Sequence, residues 1–88
     1  MVKVVFKKWG NDTIMAVFPF EKWSYYELTS YEHIGQHSGC HWQVPYTLKN
    51  ATPTEYADLL KEIEGIYGKV QVLKRMPSTE KVCKVLIG

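Results

Sequence analysis

The stretch Thr52-Pro53-Thr54-Glu55-Tyr56 decides the fold, because it marks the start of the clearest helix in the chain. Thr52 is a good N-cap, Pro53 suits the first helical position, and a glutamate at the third helical position completes a capping box. Apolar side chains then recur at helical spacing, at Tyr56, Leu59, Leu60, Ile63 and Tyr67. Glycines at positions 65 and 68 supply a stop signal, so we predict a helix over about 53–66.

The segments on either side of this helix have the composition of β-strands. Residues 2–8 and 13–18 flank the turn formers at 9–12 and predict a hairpin whose second strand ends at Pro19. Residues 21–28 fit neither a helical nor a strand period, and we interpret them as a loop. Further strands are predicted at 29–34, 41–47, 69–75 and 81–87, with a loop over 35–39.

A single helix of about four turns cannot bury its apolar stripe alone, so it must pack on the sheet. We therefore predict a two-layer α+β fold, with one helix over a mostly antiparallel sheet of about five to six strands. The 88 residues, which contain no repeat or flexible linker, are predicted to form one domain spanning 1–88.

Composition and cysteine usage limit the class of protein. With 45% hydrophobic and 23% charged residues, the chain is neither a disordered tail nor a collagen-like repeat. No run approaches the roughly 18 apolar residues of a membrane span, and lysines interrupt the apolar stretch after Met1, unlike a secretory signal. Two cysteines, Cys40 and Cys83, are too few for a disulfide framework, although the sequence does not exclude a single disulfide bond between them. We expect a cytoplasmic protein with reduced thiols and no membrane partner.

Four segments of the sequence suggest a relative. They are Val5-Phe6-Lys7-Lys8, Ile14-Met15-Ala16-Val17-Phe18-Pro19, Tyr31-Glu32-His33-Ile34-Gly35-Gln36-His37 and Ala51-Thr52-Pro53-Thr54-Glu55-Tyr56. Together they resemble a group of small uncharacterised proteins of gut bacteria, their phages and their conjugative elements. The resemblance covers roughly residues 4–76, and this chain departs from the pattern at Cys40-His41 and in residues 77–88. It implies a bacterial, phage or mobile-element origin and no particular activity.

The densest group of chemically versatile side chains is His33, His37, Cys40 and His41. Neutral imidazole and thiolate are the ligands that Zn²⁺ prefers, so the spacing makes a zinc site one alternative. The competing interpretation, which we favour, has packed histidines, a buried cysteine and no cofactor. A Cys40 nucleophile with His33 or His37 as its base would also need an oxyanion hole and a cleft, for which the chain has little room. We therefore predict that the protein is not an enzyme.

Basic residues concentrate near both ends of the chain, although the total formal charge is only +2. Residues 69–88 carry five bases against one acid, whereas residues 53–68 carry one base against four acids. If the terminal strands are neighbours, a basic face would bind phosphates and make nucleic acid a second possible partner. Its residues would be Lys3, Lys7, Lys74, Arg75 and Lys84. The competing interpretation is that these lysines protect strands from edge-to-edge aggregation.

Aromatic side chains outside the helix give the favoured functional prediction. Exposed Trp and Tyr mark interaction surfaces, whereas the alternative is that they fill the core of a small domain. The segment 21–28 has no periodicity of its own that would explain its aromatics. We therefore predict a small module, monomer or homodimer, that binds an unidentified protein partner. Its predicted surface comprises Trp23, Tyr25, Tyr26, His33, Gln36 and His37.

Overall fold

The computed structural model describes residues 1–10, 13–32 and 36–88, and for Gln36 the backbone alone. A 3₁₀ turn at Val44–Tyr46 accompanies the following elements: β1 (Lys3–Trp9), β2 (Thr13–Ser24), β3 (Glu27–Glu32), β4 (Gln36–His41), β5 (Lys49–Asn50), α1 (Pro53–Tyr67), β6 (Gln71–Val72) and α2 (Thr79–Ile87). The strand order is β4-β3-β2-β1-β5, all antiparallel, and β6 pairs in parallel with the start of β1. The predicted α+β class, with a helix on a mostly antiparallel sheet, is confirmed.

Each face of the sheet carries its own apolar core. Val4 and Phe6 of β1 belong to the core that includes Ile63 of α1, whereas Val5 belongs to the core that includes Val82 of α2. Successive residues of a strand point to opposite faces, so the buried run in β1 serves both helices. The sheet therefore lies between two helices, and the predicted two-layer, one-helix arrangement is corrected to three layers.

The predicted helix is confirmed and extends over Pro53–Tyr67. The Thr52 hydroxyl accepts a hydrogen bond from the Glu55 amide at 3.3 Å, and the Glu55 carboxylate accepts one from the Thr52 amide at 2.9 Å. Lys8 of β1 forms an ion pair with the same carboxylate at 2.8 Å, which ties the helix start to the sheet. Gly68, with φ of 74°, ends the helix, whereas Gly65 lies inside it and does not act as a stop.

The second helix replaces the strand predicted at 81–87, and that prediction was wrong. Ser78 caps α2 by accepting a hydrogen bond from the Lys81 amide. Val82 and Leu86 are buried whereas Lys84 between them is exposed, a pattern that fits a helix and not the alternation of a strand. A short segment rich in β-branched residues fits the period of a helix or of a strand, and here packing against the sheet determines that it is a helix. Of the strand predicted at 69–75, only Gln71–Val72 forms.

The middle of the chain is more regular than predicted. β2 does not end at Pro19 but continues to Ser24, with register shifts between Phe18 and Lys22 and between Lys22 and Ser24. Proline is tolerated at such an irregularity because the ladder there needs no amide donor. Residues 21–28 therefore form the end of a hairpin rather than a loop.

Residues 36–39 belong to β4 rather than a loop, and the strand predicted at 41–47 is a 3₁₀ turn after β4. The strand predicted at 29–34 corresponds to β3, with residues 33–34 outside the described range.

Candidate functional site

The tip of the β2–β3 hairpin exposes two adjacent tyrosines. Tyr25 and Tyr26 occupy the turn between the strands and are 76% and 60% exposed. Their rings meet edge to face with centroids 5.1 Å apart, and the Lys22 ammonium lies 5.7 Å from the centroid of the Tyr25 ring. Aromatic rings this open to water bury large areas when a partner covers them.

The two tyrosines line an apolar groove together with the C-terminal half of α2. The groove has a volume of about 420 Å³ and is lined by Lys22, Tyr25, Tyr26, Trp42, Cys83, Leu86 and Ile87. We call this feature the aromatic groove. Ile87, at 86% exposure, is the most open large apolar residue in the described part of the chain. Among the described residues that line the groove, Lys22 has the one formally charged side chain, so the groove suits an apolar group with an anionic neighbour.

Packing and hydrogen bonds hold both walls of the aromatic groove in place. The Trp42 amide donates to the Tyr26 carbonyl at 3.0 Å, and its side chain packs against the core beneath α2. The Tyr46 hydroxyl donates to the Pro77 carbonyl at 2.6 Å just before α2 begins. Val82 and Leu86 bury the inner face of the helix, which leaves Cys83 and Ile87 along the groove.

The surface predicted from sequence is divided between the two faces of the sheet. Tyr25 and Tyr26 lie in the aromatic groove, whereas Trp23 and His37 line a separate cleft on the α1 face. His37 Nε2 and the Tyr67 hydroxyl are 2.5 Å apart, and burial, followed by the nearby Glu21 carboxylate, raises the pKa of Tyr67. His33 and the side chain of Gln36 lie outside what the structure describes.

The three described members of the proposed zinc set, His37, Cys40 and His41, do not converge. His37 contacts Tyr31 and Tyr67 on the α1 face, whereas Cys40 is buried in the core beneath α2. The His41 Nδ1 atom accepts a hydrogen bond from the Gln43 amide at 3.3 Å, and His33 lies outside the described residues. Within residues 1–10, 13–32 and 36–88, no three His, Cys, Asp or Glu side chains are grouped to hold a metal ion. Residues three apart in a strand face opposite ways, which explains the separation of His37 from Cys40.

The basic residues proposed for nucleic acid do not form the predicted surface of terminal strands, because residues 79–87 are helical. Lys7 is buried, and its ammonium donates to Asn50 Oδ1 at 2.6 Å. Lys84 lies 3.7 Å from Glu80 on α2, and the Lys3 ammonium lies 5.1 Å from the centroid of the Phe20 ring. Lys74 and Arg75 are exposed after β6. Nucleic-acid binding stays an untested prediction.

Sequence reasoning missed the α2 wall of the aromatic groove, namely Cys83, Leu86 and Ile87. If residues 79–87 had been interpreted as a helix, the four-residue spacing of Cys83 and Ile87 would have predicted that they lie together on a face next to the buried Val82 and Leu86. No α-helix in the described residues is long and apolar enough to cross a membrane. Comparison with protein-family models, curated proteins and solved structures found no match to this chain.

Proposed function

We propose that this protein is a non-enzymatic module that binds a segment of a protein partner in the aromatic groove. The observation that carries the proposal is the joint exposure of Tyr25, Tyr26 and Ile87 around one concave apolar surface. Clustered exposed aromatic and aliphatic side chains of this kind mark interaction sites, whereas isolated ones do not.

The chemistry of the lining residues specifies what the partner segment carries. An apolar side chain would enter between Tyr26 and Ile87, where burial contributes about 25 cal/mol for each Å² removed from water. A carboxylate next to it would meet the Lys22 ammonium at the rim. The partner segment is therefore an apolar residue flanked by Asp or Glu, or an apolar chain terminus with its free carboxylate.

The environment of Cys40 supports a binding role over a catalytic one. Burial, followed by the carboxylates of Glu27 and Glu32, raises the pKa of the Cys40 thiol to about 11. A thiol with this pKa is protonated near neutral pH and is a poor nucleophile. Both Cys40 and Cys83 are free thiols, which agrees with the proposed cytoplasmic location. A bacterial, phage or mobile-element origin remains part of the proposal through the resemblance alone.

Selection from a random peptide display library tests this function even though the partner is unidentified. We expect the protein to enrich peptides with an apolar residue beside an acidic one, and Ile87→Ser to capture them about tenfold or more weakly. The matched control is Ile66→Ser, which replaces an exposed isoleucine of α1 that does not line the groove. Failure to enrich any peptide, or equal capture by Ile87→Ser and the wild type, would contradict the proposal.

A further inference from the structure

Within the residues that the structure describes, the outer edge of the sheet at β4 lacks the side chains that usually protect an edge strand from pairing. β4 is the last strand in the order and pairs with β3 through six consecutive residues without a register shift. Its sequence, Gln36-His37-Ser38-Gly39-Cys40-His41, contains no proline, lysine, arginine or acid. Edge strands usually carry such residues or bulges, because an open edge invites another strand.

The hydrogen-bond pattern with β3 shows which backbone groups face outward. The Trp42 amide donates to the Tyr26 carbonyl, directly across the extended β3–β4 register, so this is a hydrogen-bonded pair. In an antiparallel ladder such pairs alternate, which directs the backbone groups of Ser38 and Cys40 toward β3. The amide and carbonyl of His37, Gly39 and His41 therefore point away from the sheet. The Cys40 thiol lies 3.6 Å from the His41 carbonyl oxygen.

We propose that β4 pairs in antiparallel fashion with β4 of a second copy of this chain, about a two-fold axis at Gly39. In this register Gly39 faces Gly39 of the second copy, and His37 faces His41 of the second copy. The outward groups are spaced evenly around Gly39, so each of these opposed pairs exchanges two N–H···O bonds. A symmetric dimer requires an edge that is complementary to itself, whereas pairing with a strand of another protein does not require this symmetry.

The surroundings of Gly39 fit a second copy. The indole of Trp23 lies directly over Gly39 and is 49% exposed. Paired strands run about 4.8 Å apart, so the two indoles would meet above the paired glycines and cover each other. β4 itself carries no formally charged residue, and the nearest charge to the axis is the Glu27 carboxylate of β3 beside Gly39, whose repulsion from its equivalent in the second copy weakens the dimer. A single strand pair buries less than the roughly 1,200 Å² typical of stable interfaces, so we expect a dimer that dissociates on dilution.

Sedimentation velocity over a range of concentrations, combined with amide hydrogen exchange, tests this dimer. We expect a shift from monomer to dimer as concentration rises, and protection of the His37 and Gly39 amides only where the dimer forms. The Ser38 and Cys40 amides, bonded to β3, provide the internal control because their protection should not depend on concentration. His41→Pro removes an outward donor without breaking the β3 ladder and should sediment as a monomer.

A second variant keeps the test decisive if His41→Pro fails to fold. Ser38→Lys adds one charge to each exposed edge, about 8 Å from its equivalent in the dimer, and should also give a monomer. Tyr25→Ala alters the aromatic groove alone and should leave dimerisation unchanged, which separates this inference from the proposed function. A monomer at every concentration would overturn the inference, as would a dimer that His41→Pro and Ser38→Lys leave intact or one with unprotected Gly39 amides.

Discussion

The indole of Trp23 packs on the α-carbon of Gly39, so closely that a Cβ atom at residue 39 would overlap the Cδ1 atom of the ring. The same Cβ position lies 2.7 Å from the Glu27 carboxylate, which accepts a hydrogen bond from the Ser24 hydroxyl at 2.5 Å. The absence of a side chain at Gly39 lets an aromatic residue of β2 reach across β3 and cover the edge strand. Glycine in a strand often marks such a close approach.

Gly39→Ala should therefore lower the free energy of unfolding by about 1–3 kcal/mol, the usual cost of overpacking, and should alter tryptophan emission. Chemical denaturation followed by fluorescence provides both readouts. The matched control is Gly65→Ala, in α1 with open space around its α-carbon, which should raise stability by about 0.5–1 kcal/mol. If Gly39→Ala is as stable as the wild type with unchanged emission, Trp23 does not pack on the edge strand as described.

The start of α1 should give the protein an acid-sensitive component of stability. The hydrogen bond from Lys8, followed by that from the Thr52 amide, lowers the pKa of Glu55 from 4.5 to about 2. A carboxylate whose pKa is lowered on folding stabilises the fold above its unfolded value, and this contribution disappears as the pH falls from about 4.5 to about 2. Glu55→Gln should lower the melting temperature at pH 7 and flatten its dependence on pH in this window. Equal pH profiles for variant and wild type would contradict the proposed contact.

Cys40 should resist thiol reagents in the folded protein. Its thiol is buried with a pKa of about 11, so iodoacetamide at pH 8 should modify Cys83 in the aromatic groove well before Cys40, as mass spectrometry can measure. An acid whose pKa is raised on folding contributes stability that is lost as the pH rises from about 9 to about 11. Cys40→Ala should remove this loss of folding stability at alkaline pH. Rapid labelling of Cys40 under native conditions would show that the core beneath α2 is open.

The buried amine of Lys7 should make Asn50 important for stability. Its ammonium donates to Asn50 Oδ1, with the Leu48 carbonyl farther away at 3.5 Å, and burial lowers the pKa of the lysine. Asn50→Ala should cost about 1–3 kcal/mol because it removes the nearer acceptor from a buried donor. Lys7→Met should be close to neutral, since it removes the donor and preserves apolar contact. A larger loss for Lys7→Met than for Asn50→Ala in urea denaturation would contradict this account.

The sequence predicted those elements whose signals are local. The capping box at Thr52 and Glu55 determines where α1 begins, and the turn formers before Thr13 determine the first hairpin. Whether residues 79–87 form a helix or a strand depends instead on what they pack against, because Val82 and Leu86 share one face in either structure and here pack as a helix on the second face of the sheet. No local sequence pattern indicates that a helix covers this face of the sheet.

The candidate site was predictable in part. The unexplained aromatics at 21–28 correctly drew attention to Tyr25 and Tyr26 as exposed residues. His37 lies on the α1 face, away from these tyrosines, and the strand register that places it there is a tertiary property that local sequence does not reveal. The α2 wall of the aromatic groove could not be predicted while those residues were taken for a strand.

The most direct test of the proposed function is the dissociation constant of one display-selected peptide, measured by isothermal titration calorimetry on three proteins. They are the wild type, Ile87→Ser in the groove wall and Ile66→Ser on α1. Burial of an isoleucine side chain is worth about 1.5–3 kcal/mol, so we predict that Ile87→Ser weakens binding about tenfold or more and Ile66→Ser leaves it unchanged. Equal affinity for the wild type and Ile87→Ser, or a comparable loss in Ile66→Ser, would contradict binding in the aromatic groove.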